Sequence, residues 1–78
     1  MELGLETIRR IMRQATSKQI TTKAAFYMAE KAEEFIIEIT QRADVLLEAR
    51  NKEREATNIV QKSKITDELI SDVLKGDL

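Results

Sequence analysis

The stretch AFYMAEKAEEFIIEITQRADVLL, residues 25–47, decides the fold. Ala25, Met28, Ala32, Phe35, Ile39, Ala43 and Leu46 follow one another by three or four residues throughout. That spacing lines up one face of an α-helix. Ala29, Ile36 and Leu47 widen the stripe on one side, and the acidic residues fall mostly off it. No Gly or Pro interrupts it. Upstream, Thr21 or Thr22 can cap the helix start. Downstream, Glu48 to Ala56 are strong helix formers, and Thr57 and Asn58 weaken the run before Ile59 and Val60. The reading therefore gives a helix from about residue 22 to an end between residues 51 and 61. At 30 to 40 residues it would be roughly 45–60 Å long. A small domain cannot cover such a helix along its whole length, whereas a second chain crossing it can.

Working outward, Leu5, Ile8, Ile11, Met12 and Ala15 also fall at helical spacing and predict a short helix over 5–15. Thr16 to Thr22 is polar and β-branched, which predicts a loop. At the other end Thr66 is a good N-cap, and Asp67 and Glu68 suit the positive end of a helix dipole. Leu69, Ile70, Val73 and Leu74 give that last helix one apolar face, and Gly76 can close it. The expected architecture is all-α, in the order short helix, loop, long central helix, loop, short helix.

Composition agrees and excludes much else. The 78 residues contain no Pro, Cys, His or Trp, and only 2 Gly. Few turn residues argue against a sandwich or barrel. Without Cys or His there is no thiol redox chemistry, no Cys/His zinc site and no histidine-based catalysis. No nucleophile–base pair or Gly-rich phosphate loop is present, so the expectation is no enzyme, no cofactor, no metal and no small-molecule substrate. No apolar run approaches the 18 or so residues of a membrane span, and a cytoplasmic protein is the default. One domain, residues 1–78, is the limit at this length, and a core this small favours oligomerisation.

The net charge of −1 hides a segregation. Residues 1–24 carry Arg9, Arg10, Arg13, Lys18 and Lys23 against Glu2 and Glu6, a net +3. Residues 25–49 are −4, residues 50–65 are +3 and residues 66–78 are −3. Brought together by folding, the two basic blocks would make a positive surface that the total conceals; kept apart, they are solvated helix faces. Phe26, Tyr27 and Phe35 could stack on bases, but helix positions suit them better to core or dimer packing. Glu33, Glu34 and Glu38 could hold a divalent ion, although surface carboxylates at such spacing are usually solvated.

The pattern resembles the histone fold, and the N-terminal part is similar to archaeal histones in register. The resemblance is carried by Met1-Glu2-Leu3, Ile8, Arg10-Ile11 and Ala15, by the loop Thr16-Ser17-Lys18-Gln19-Ile20-Thr21, and by Lys64-Ile65-Thr66 with Asp67-Glu68-Leu69. It covers residues 1–49 and 62–75. This chain has Gly4 where the family usually has Pro, and Gln19 where it usually has Arg. Between Ile20 and Ile65 it is longer by about three helical turns, most of them in Arg50–Asn58. The Arg–Thr pair and downstream Asp that clamp the family's second loop are replaced by Lys62, Lys64 and Leu69. The family's tetramer contact uses a His that is missing here.

The resemblance implies an intertwined dimer whose middle helices cross antiparallel, with Met28, Ala32, Phe35, Ile39 and Leu46 in its interface. It implies a basic surface that binds duplex DNA with little sequence preference and compacts, bridges or wraps it in a nucleoid. Arg9, Arg10, Arg13, Lys18, Lys62 and Lys64 are the candidate DNA contacts, with Arg10 matching the family's minor-groove arginine. Thr66, foremost a helix cap, is counted with them. Ile59 and Val60, at the far end of the lengthened helix, are the candidate contact for a homotetramer. The alternatives are a histone-fold interaction module, akin to a transcription-factor subunit and without DNA binding of its own, and a coiled-coil assembly protein.

Overall fold

The computed structural model describes residues 3–76. It contains α1 (Leu5–Arg13), α2 (Thr22–Ala56) and α3 (Asp67–Leu74), with no strand among the described residues. Met1 and Glu2, which open the family-like register, and Asp77, counted in the last acidic block, lie outside the described residues.

The helix ends are set by local chemistry. Gly4 caps α1 with φ −70° and ψ 136°. That φ is within the range a proline ring enforces, so this position would accept Pro without a change of backbone φ. α1 stops at Arg13, two residues before the spacing suggested. Gln14 and Ala15 instead donate to Ile11 and Met12 in tighter three-residue bonds of 3.1 and 3.0 Å. Thr21 caps α2, its Oγ1 accepting from the Ala24 amide at 3.0 Å. α2 runs for 35 residues and ends where Asn58 takes φ 60°. The Ile59 amide then donates to Arg54 O at 2.7 Å and the Asn58 amide to Glu55 O at 3.2 Å. This pair of bonds is a Schellman stop, with Asn in the left-handed position that Gly usually fills. Thr66 caps α3 by accepting from the Leu69 amide at 3.3 Å, and Gly76 closes it at φ 85°.

The chain divides into two compact units, one ending at Ile36 and the other starting at Ile37. In the first unit the buried apolar residues are Ile8 on α1 and Ala25 and Ala29 on α2. In the second, Ile39, Ala43, Leu46 and Leu47 form one cluster with Leu69 and Val73 of α3, and Ile70 packs against its edge. An ion pair at 2.9 Å between Arg50 and Asp72 ties the same two helices.

Two findings revise the expected stripe. Ile39 and Leu46, expected to face a partner chain, are buried within their own chain because Leu69 and Val73 reach them. Met28 and Phe35 remain 47% and 54% exposed, Ile36 is also exposed, and Ala32 is half-buried. The short helices thus cover parts of the stripe, and Met28, Phe35 and Ile36 are the large residues of it that stay uncovered, in the first half and middle of α2.

Candidate nucleic-acid interface

The basic residues of α1 divide by partner. Arg9 donates from Nη1 to Glu6 at 2.9 Å and from Nη2 to Thr22 Oγ1 at 2.9 Å. Its side chain is only 18% exposed, and Nε is buried without a hydrogen-bond partner. Arg9, expected among the DNA contacts, is thus engaged as a link between α1 and the first turn of α2. Arg10 and Arg13 are exposed, and neither has an ion pair among the described residues. Lys18 is also exposed, in a loop turned by the Thr16 hydroxyl, which accepts from the Lys18 amide at 3.2 Å. An open concavity beside this loop is lined by Arg9, Arg13, Thr16, Lys18 and the capping Thr21. Cations, hydroxyls and the start of a long helix together favour an anion.

The second unit holds a second basic concavity. Arg50, Arg54, Lys62, Lys64 and Thr66 line it with the carboxylates Asp67 and Glu68. Lys62 and Lys64 are exposed and have no ion pair among the described residues. Thr66 serves as the α3 cap. The loop before it is held from α2: Asn51 Nδ2 donates to Lys62 O at 2.8 Å, and the Lys62 amide donates to Asn51 Oδ1 at 2.9 Å. Arg54 Nη1 donates to the same Oδ1 at 2.9 Å.

Sequence reading missed Asn51 and its bond from Arg54, and it missed the pairing of Arg50 with Asp72. The one available signal was an Asn in the interior of a helix, where its side chain is a poor helix former unless engaged elsewhere. The Arg50–Asp72 pair joins α2 to α3.

The remaining candidates are occupied differently. Phe26 and Tyr27 are exposed, and Lys31 Nζ lies 5.3 Å over the Tyr27 ring. Lys31 also pairs with Glu34 at 3.2 Å, and that hydrogen bond holds its pKa above the ordinary lysine value. Glu38 pairs with Arg42 at 2.8 Å. No cluster of three acidic residues suited to a metal ion occurs among the described residues. Ile59 and Val60 are 60% and 83% exposed. No helix is long and apolar enough to cross a membrane among the described residues.

A family model described as histone-like transcription factor (CBF/NF-Y) and archaeal histone matches residues 1–54. The match ends inside the last turn of α2, so the second loop and α3 lie beyond it. No curated protein and no solved structure matches the chain.

Proposed function

The chain belongs to the family of histone-like transcription factors (CBF/NF-Y) and archaeal histones, and from that premise we propose that it acts as a dimer that binds duplex DNA with little sequence preference. Its fold is the family's short–long–short histone fold. Dimerisation would bury the uncovered middle of α2, where Met28, Phe35 and Ile36 are exposed. Such a protein would compact or bridge DNA and would reside in the nucleoid. Ile59 and Val60 offer a further apolar contact between dimers.

The observation that carries the DNA reading is the partition of the cations. Arg9, Lys31, Arg42 and Arg50 are in ion pairs. Arg10, Arg13, Lys18, Lys62 and Lys64 are exposed and outside any ion pair among the described residues. Exposed cations without carboxylate partners are available to phosphates, and their displacement of counterions drives binding. Titration of unrelated duplexes with the protein at stepped salt concentrations tests this. Affinities should be similar across sequences and fall steeply with salt. Absence of binding at low salt would overturn the proposal.

A second reading is supported by the net charge of −1 and by the transcription-factor half of the family description. In it the apolar middle of α2 pairs with a different histone-fold chain, and DNA contact is left to the complex. Failure of the isolated protein to form a homodimer would favour this reading.

A further inference from the structure

The last turns of α2, where the family match ends, carry two side chains with no assigned role. Asn51 satisfies both backbone polar groups of a single loop residue, donating to Lys62 O at 2.8 Å and accepting from the Lys62 amide at 2.9 Å. A side-chain amide paired in this way does what a neighbouring strand would do for the loop backbone. Arg54 donates to the same Oδ1 at 2.9 Å, so two donors converge on the oxygen and one acceptor faces the nitrogen. That arrangement fixes the amide's orientation. The loop of residues 59–66 has no regular structure of its own. Asn51 therefore decides where Lys62 stands relative to α2.

The result is a groove in which four cations, Arg50, Arg54, Lys62 and Lys64, outnumber the two carboxylates of Asp67 and Glu68. Arg50 is already paired with Asp72 at 2.9 Å. Arg54 has no ion pair among the described residues, and it spends one N–H on Asn51. A guanidinium has five N–H donors in a planar fork that suits phosphate oxygens.

We infer that the C-terminal end of α2 is part of the nucleic-acid surface, with Arg54 as a phosphate contact beside Lys62 and Lys64 and Asn51 as the positioning residue that brings the loop to it. The inference rests on the DNA-binding reading above and extends it to Asn51 and Arg54, at the end of the matched residues, which are not among the candidate DNA contacts of that reading. Arg54 acts on the phosphate directly. Asn51 acts only through the loop.

The experiment uses the full chain, a duplex of mixed sequence and amide hydrogen exchange. Arg54→Gln, which keeps a donor for Asn51, should reduce the salt dependence of binding by about one phosphate per chain. Asn51→Ala should speed exchange of the Lys62 amide at least about tenfold while leaving helix content intact. It should also weaken DNA binding, and that loss should vanish in a Lys62→Ala/Lys64→Ala background, because the two changes act through the same contacts. An unchanged salt slope in Arg54→Gln, or a loss from Asn51→Ala that simply adds to the lysine substitutions, overturns the inference while leaving DNA binding in place. A wild-type protein that ignores DNA at low salt would sink the functional reading and the Arg54 contact with it. The Lys62 exchange rate would in that case still report whether Asn51 holds the loop.

Discussion

Arg9 Nη2 donates to Thr22 Oγ1 at 2.9 Å, joining the first helix to the opening turn of the second across 13 residues of sequence. The same guanidinium holds Glu6, and its Nε is enclosed by protein. A cation in this position organises the first unit before it can serve a ligand.

Arg9→Lys should therefore separate folding from DNA binding. Lysine keeps the charge and loses the two-pronged link, for a loss of about 1–2 kcal/mol. Thermal unfolding should shift to lower temperature while the salt slope of DNA binding stays at the wild-type value. A lowered slope with unchanged thermal stability would place Arg9 on the phosphates instead.

Arg10→Ala and Arg13→Ala should act in the opposite sense. Each removes an exposed cation, so affinity should drop for every duplex tested, with a slope reduced by about 0.9 per lost phosphate contact. Unfolding midpoints should move little, as expected for surface positions. Glu33→Ala, in the acidic segment, is the control that should leave the slope unchanged.

Phe35 and Ile39 sit one turn apart on α2 and should report on different things. Phe35 is 54% exposed in the chain, whereas Ile39 is 8% exposed and belongs to the cluster with α3. Phe35→Asp should raise the dimer dissociation constant by at least about a hundredfold, since burying a phenyl ring contributes roughly 1.5–3 kcal/mol in each of two copies. Ile39→Asp should instead disrupt the second unit by placing a carboxylate in its core. Sedimentation equilibrium and circular dichroism measure the two effects. A wild-type protein that sediments as a folded monomer at high concentration would contradict the dimer.

Asn58 stands at φ 60°, where an ordinary L-residue is strained by about 1–2 kcal/mol. Asn58→Ile should lower stability by that amount, and Asn58→Gly should keep or slightly raise it. Equal melting temperatures for both variants would mean that the α2 stop does not depend on the left-handed turn.

Ile59 and Val60 test the assembly. If they join dimers, Ile59→Glu combined with Val60→Glu should turn a wild-type tetramer into a dimer by mass measurement in solution. The Schellman bond from the Ile59 amide uses only backbone, so the double substitution should leave the helix end intact. A wild-type dimer at high concentration would remove the contact.

Much of this protein was written locally. The periodicity from Ala25 to Leu46, the Thr21 and Thr66 caps and Gly76 place three helices within a few residues of where they lie, because caps and stripes act over one turn. The sequence alone leaves the end of α2 open between residues 51 and 61, since strong helix formers fill that run and only the left-handed turn at Asn58 stops it. Charge segregation located both basic loops, but it could not tell which cations were already engaged. Tertiary structure made those decisions. It joined Arg9 to Thr22, Asn51 to Lys62 and Arg50 to Asp72, and it turned Ile39 and Leu46 toward α3. Each of these depends on groups 11 or more residues apart meeting at hydrogen-bond or packing distance, and neither composition nor helical spacing carries that information.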